Sequence, residues 1–201
     1  MTQQKPYIDL SNEMGGGIVS LFMYDHGMAG PLMKMGQTIM RRSNRDLSIG
    51  DRELIGAFVS KCNNCQFCFK SHTEAARRLL DPQLVDTVLL RCNTEVVPMK
   101  LRTLLIVAAH VQDFDNYSKR ELPAAIELCK QQGATEQEIH DTILIASFFS
   151  MCNRYVDSCG TTFNEGEPEE GGAALVKYGY TMSLKRFFVE LLPKLWAKFW
   201  S

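Results

Sequence analysis

A chain of 201 residues that is 45% hydrophobic can bury one good core and is too short for two independent domains. Its 22 basic and 23 acidic residues leave a net charge of −1, so no field draws it to nucleic acid, and no nucleic-acid partner is expected. Met1 is not followed by a basic leader and apolar run, no apolar stretch is long enough to span a bilayer, and seven cysteines is an odd count; together these predict a reducing, cytoplasmic setting.

Residues 1–27 carry no clear helical period, and Gly15-Gly16-Gly17 predicts a turned N-terminal arm. From Pro31, the spacing of Leu32, Met33, Met35, Ile39 and Met40 predicts a helix ending near Arg41-Arg42, with Gly36 counting against it at its middle. Ser48 with Asp51 has the pattern of a capping box for a helix that carries Glu53 and turns Leu54, Phe58 and Val59 inward, and Asn63-Asn64 breaks it. A helix from Gln66 to about Leu80 follows, and Asp81-Pro82 supplies the N-cap and first-turn proline of a short helix to Arg91. Leu101, Leu104, Leu105 and Ala108 give helical spacing to Met99 through Val111. Ser118 with Glu121 predicts the start of a helix running past Leu128 to a stop at Gly133. Thr135 with Glu138 repeats the device for Glu136 to about Ser158, whose apolar run from Ile143 to Phe149 marks it as the centre of the core.

Residues 163–182, opening with glutamates and glycines, predict a solvated linker. Beyond it, Leu184, Phe187, Phe188, Leu191, Leu192, Leu195, Trp196 and Phe199 fall on one face and predict an amphipathic helix over 183–201, kinked at Pro193. Packing on this subunit or a neighbouring copy is one role for its apolar stripe; peripheral contact with the inner membrane surface is the alternative. No period-two pattern survives anywhere, so the class is all-α, with residues 28–162 as the helical domain.

The residues that carry chemistry gather between Glu53 and His72. On a helix beginning at Gln66, Cys68 and His72 stand at i and i+4, one turn apart on one face, so the imidazole reaches the thiol. Cys65 falls at the start of that helix, where free backbone N–H groups and the helix dipole favour a thiolate. A helical hairpin would bring the Glu53 carboxylate back towards the cysteines as a proton acceptor or histidine orienter. Cys62, Cys65, Cys68 and His72 also make a candidate set of zinc ligands, but eleven residues mostly on one helix fold poorly around a tetrahedral ion. Dithiol redox chemistry is therefore the preferred reading, with no metal and no cofactor expected. Cys92, Cys129, Cys152 and Cys159 are expected to be small buried hydrophobes. His26 is expected at the surface, His110 to complement the dipole of the helix it ends, and Arg154 to pair with Asp157 at i, i+3.

Glu53, Cys65, Cys68 and His72 reproduce the pattern E-x11-C-x-x-C-x3-H. The stretch resembles the active site of the alkylhydroperoxidase D-like family, the redox-active branch of the carboxymuconolactone decarboxylase superfamily. Ile139-His140-Asp141 and Asn153-Arg154-Tyr155-Val156-Asp157 resemble segments of its peroxidase-related members, and the likeness covers roughly residues 30–182. The resemblance implies an all-helical homo-oligomer and an antioxidant peroxidase: the cysteine pair reduces a peroxide substrate, and a dithiol reductant, protein or small molecule, restores the pair. It implies Cys68 as the peroxidatic thiol, Cys65 as the resolving thiol, and His72 with Glu53 in proton transfer. The helix-terminus argument by itself favours Cys65 as the more acidic thiol, so the two roles stay open. Some members carry a histidine just before the second cysteine, where this chain has Phe67, and Cys62 is a further departure. A thiol–disulfide oxidoreductase or redox sensor without peroxide turnover, and a membrane-associated redox interaction module, are the alternative functions.

Overall fold

In a computed structural model of the chain, residues 5–10, 15–42 and 47–181 are described. Among them the order is α1 (Ile18–Tyr24), α2 (His26–Met40), α3 (Ile49–Cys62), α4 (Gln66–Leu79), α5 (Pro82–Leu89), α6 (Met99–Gln112), α7 (Asn116–Gln131), α8 (Glu136–Ser158) and α9 (Glu167–Tyr178), with no strand. The all-α class and the capping boxes that open α3 and α8 are as the sequence predicts. Ser48 Oγ accepts from the Asp51 N–H while the Asp51 carboxylate accepts from the Ser48 N–H, opening α3. Thr135 and Glu138 do the same for α8. Each exchange satisfies backbone N–H groups that a helix start would otherwise leave unpaired.

α8 lies at the centre and touches α1, α2, α3, α6 and α7. Its Ile145 and Phe149 meet Leu54 and Ile55 of α3 and Leu104 and Leu105 of α6, all of them buried. Each such aliphatic side chain contributes about 1.5–3 kcal/mol through burial. One ion pair crosses this apolar centre: Arg52 Nη2 donates to Asp141 Oδ2 at 2.7 Å, with both side chains almost wholly buried. Arg52 also donates to the Ile39 carbonyl, and Asp141 accepts from Gln137 and Arg42. Asp141 thus joins the end of α2, α3 and α8, a structural role for a residue in one of the segments that resemble the family.

Four local expectations change. The N-terminal arm contains α1, and α2 begins at His26, capped by the Asp25 carboxylate, so Pro31 lies inside the helix instead of opening it. The cap of α7 is Asp115, which accepts from the Ser118 N–H, so Ser118 is a first-turn residue. Cys92 is exposed, with a left-handed backbone (φ 57°) and its sulfur 3.0 Å from Lys61 Nζ. The stretch read as a solvated linker contains α9: Glu167, Glu169 and Glu170 fill its first turn, where acidic groups complement the helix dipole, and Pro168 fits a first-turn position.

α9 packs on α4, and glycine makes the approach. A Cβ on Gly172 would stand 2.3 Å from the Ser71 carbonyl oxygen, which belongs to helix backbone and cannot move aside. The amphipathic helix expected over 183–201 lies outside the described residues. Among the described residues, no helix is long and apolar enough to cross a membrane. Gly172→Ala is expected to push α9 off α4 and lower stability by about 1–3 kcal/mol. Urea unfolding and the rate of proteolytic cutting within α9 check this, and an unchanged midpoint with unchanged cutting would contradict the packing described.

Candidate active site

The turn between α3 and α4 sets the cysteine pair. α3 closes in a Schellman motif: Asn64 takes the left-handed conformation (φ 59°), its N–H bonds to the Lys61 carbonyl, and the Cys65 N–H bonds to the Ser60 carbonyl. Cys65 then serves as the N-cap of α4, in extended backbone. The turn is held from α8, where buried Asn153 accepts from the Asn63 amide and donates to Ser60 Oγ. Asn153 belongs to the second segment that resembles the family, and here it fixes the geometry of the C-x-x-C loop.

The two thiols occupy different surroundings. Cys68, in the first turn of α4, lines a cavity of about 370 Å³ together with Ser71 and His72 from the same helix face. Cys65 is fully buried and is not part of the cavity wall. A hydrogen bond to Cys68 and then burial push the Cys65 thiol far above the ordinary cysteine range, and the nearby Asp157 carboxylate adds to the effect. The N-cap position, which by itself favours a thiolate, is thereby outweighed. Asp157 bonds to Cys65, and Arg154 donates to the carbonyls of Ser150 and Gln112 rather than to Asp157.

Glu53 reaches the pair through His72, as a helical hairpin allows. Its carboxylate is completely buried and accepts from His72 Nδ1 at 2.7 Å, Arg41 Nη1 at 2.7 Å and Tyr180 Oη at 3.1 and 3.2 Å. Burial alone would raise its carboxyl; the hydrogen bond and charge of His72, joined by Arg41, outweigh burial and hold it below the usual carboxylate range. An ionised Glu53 fixes the proton on His72 Nδ1 and leaves Nε2 to work on the cavity side. Phe149 packs edge-on against the imidazole, with ring centroids 4.5 Å apart, and Tyr180 stacks at 6.1 Å.

Arg41 and Tyr180 were not expected at the site. Arg41 ends α2, stands over the Tyr180 ring at 5.1 Å and donates to the Leu175 carbonyl. The Tyr180 N–H is accepted by Gln37 Oε1, and Gly36 makes room for the ring, since a Cβ there would come within 2.8 Å of it. The glycine that counted against α2 in the sequence is thus what admits the tyrosine. Burial and the Glu53 charge drive the Tyr180 phenol well above its ordinary range, so it stays a donor.

The other candidates fall elsewhere. Cys62 is exposed near Cys92 and Lys61, away from the buried pair, and among the described residues no three His, Cys, Asp or Glu side chains converge as a metal site. Cys152 lines the cavity, but burial and then Cys65 push its thiol up to about 12. Phe67 is a cavity wall packed on Phe163, in the place where a second histidine would stand. His26 is exposed at the cavity mouth, His110 meets Ser118 Oγ at 3.3 Å, and His140 is largely exposed.

Because the folded Glu53 carboxyl titrates below the unfolded one, its stabilisation is complete above the unfolded value and is lost as pH falls through the folded one. Glu53→Gln strands Arg41 and is expected to lower stability at pH 7 by about 3–5 kcal/mol. In urea unfolding, the gap between wild type and variant should narrow below about pH 4; a gap that stays constant to pH 3 contradicts an ionised Glu53.

No protein-family model and no curated protein matches the sequence. Solved structures do. An uncharacterized peroxidase-related protein from Silicibacter sp. TM1040 is 23% identical, with a TM-score of 0.65 over 76% of this chain and 78% of that one. An alkylhydroperoxidase AhpD core, described as an uncharacterized peroxidase-related protein from Ralstonia eutropha JMP134, is 22% identical, with a TM-score of 0.66 over 78% and 80%. At this identity the likeness is one of fold, and it agrees with the motif: the chain has the helical fold of the alkylhydroperoxidase AhpD core.

Proposed function

We propose that this chain is a thiol-dependent hydroperoxidase that reduces organic peroxides and is restored by a dithiol. One observation carries the reading: Cys68 opens on an apolar cavity beside His72, whose Nδ1 is anchored by Glu53, while Cys65 sits sealed behind it.

The chemistry follows from that arrangement. Cys68 passes its thiol proton to His72 Nε2, and the thiolate so formed attacks the terminal oxygen of ROOH: an S–O bond forms and the O–O bond breaks. The departing alkoxide takes the proton held at His72 Nε2 and leaves as ROH. Cys68 is now a sulfenic acid. The Cys65 thiol condenses with it: an S–S bond forms, and the sulfenic hydroxyl leaves as water with the Cys65 proton. An external dithiol then exchanges with the disulfide, returning both cysteines to thiols and becoming a disulfide itself. Glu53 acts as a positioning residue in this scheme, because Arg41 and Tyr180 already hold its charge and leave it a weak base.

Two measurements test the reading. Iodoacetamide at pH 8 is expected to label Cys68 well before Cys65 in peptide mapping, because only Cys68 faces the cavity; the reverse order exchanges the two roles. With cumene hydroperoxide and dithiothreitol, wild type is expected to turn over and to lose two thiols on oxidation. Cys68→Ser is expected to be inactive, Cys65→Ser to stall after one turnover, and His72→Ala to fall by about 10²–10⁴-fold. Disulfide formation in wild type without peroxide consumption moves the function to thiol–disulfide exchange or redox sensing.

A further inference from the structure

Ser71 stands between Cys68 and His72 on the cavity face of α4, at i+3 from the first and next to the second. It is 3% exposed, and its hydroxyl has no hydrogen-bond partner. That is unusual for a serine inside a helix, where the hydroxyl ordinarily turns back to the carbonyl four residues earlier. Ser60 and Ser147 do so in this protein, donating to Gly56 and Ile143 at 2.8 and 2.9 Å. Among the described residues, three other buried side-chain polar atoms lack partners, Arg52 Nε, Thr73 Oγ1 and Thr161 Oγ1, and none of their residues lines the cavity. Beside Ser71 stands Gly171 of α9, where an added Cβ would lie 3.6 Å from Oγ, at ordinary van der Waals contact. A buried polar group left unpaired beside a reactive thiol, in a cavity with apolar walls, is a group awaiting a ligand's polar atom.

We propose that Ser71 is the oxygen-binding residue of the substrate site: its hydroxyl hydrogen-bonds the oxygen end of an apolar hydroperoxide, and of the alcohol left after reduction, beside Cys68. The assignment rests on the peroxidase reading for its substrate class and on the cavity for its geometry. The hydroxyl both donates and accepts, so it can hold the oxygen nearer the carbon while the terminal oxygen meets Cys68. The apolar walls take the organic body. Ser71 thereby favours a ligand carrying one oxygen function on an apolar frame over the bare hydrocarbon.

The test uses the reduced full chain and two probes of nearly equal shape: cumyl alcohol, the product of cumene hydroperoxide reduction, and cumene, which lacks the oxygen. Dissociation constants come from titrations followed by NMR chemical shifts. Wild type is expected to prefer the alcohol. Ser71→Ala is expected to weaken alcohol binding by about three- to tenfold while leaving cumene binding unchanged. Thr73→Ala, which removes a buried unpaired hydroxyl outside the cavity, is expected to change neither. An alcohol preference that is the same in wild type and Ser71→Ala overturns the assignment, as does failure of wild type to bind either probe. Turnover is read separately: kcat/KM for cumene hydroperoxide is expected to fall by about the same factor in Ser71→Ala, with the rate of Cys68 alkylation by iodoacetamide unchanged. If wild type binds the probes as expected yet consumes no peroxide, the peroxidase reading fails and the oxygen-binding site stands.

Discussion

The structure turns on one buried negative charge. Glu53 lies in the middle of α3 with none of its surface exposed, and an isolated carboxylate there would cost several kcal/mol unless donors surround it. The donors come from three separate stretches: Arg41 at the end of α2, His72 in α4, and Tyr180 after α9. Satisfying this one group therefore brings together the parts of the chain that form the cavity. It also gives the His72 ring a fixed orientation, since the bond that holds the carboxylate is the bond that sets the ring.

Around that charge the scaffold gives two nearby cysteines unlike surroundings. The Schellman turn, pinned by Asn153, holds Cys65 against Cys68 and Asp157 in a place closed to the cavity. Three residues on, in the first turn of α4, Cys68 reaches the wall of an apolar cavity. A helix start alone would favour charge on Cys65; the hydrogen bond to Cys68 and then burial act against it. The local dipole acts over one turn, whereas loss of solvent acts on the whole side chain.

Much of this was legible in the sequence, and what was missed has a common cause. Capping boxes at Ser48 and Thr135, the Asn63-Asn64 break and the i, i+4 spacing of Cys68 and His72 are local signals, and local signals fixed α3, α4 and α8. Arg41 and Tyr180 could not be read this way, because each acts through a partner far along the chain. Gly36 looked like a weakness in a helix and Gly172 like part of a linker, yet both are points of close approach, which show only when the opposing element is in place. The glutamates of α9 looked like a solvated run because exposure and dipole complementarity ask for the same residues. Ser71 carries no sequence signal at all, since a serine that bonds its own helix and one that does not are written the same way.

The bond between Tyr180 and Glu53 joins residues 127 positions apart. Helices α3 to α8 can form and pack while Glu53 still lacks one of its donors, and the thiol-bearing helix is present long before its cavity is enclosed. The cysteine pair precedes the residue that completes the carboxylate's surroundings, and a contact of such long range closes only after the local helices have formed. Completion of the carboxylate's surroundings thus depends on a contact that local helix formation cannot supply.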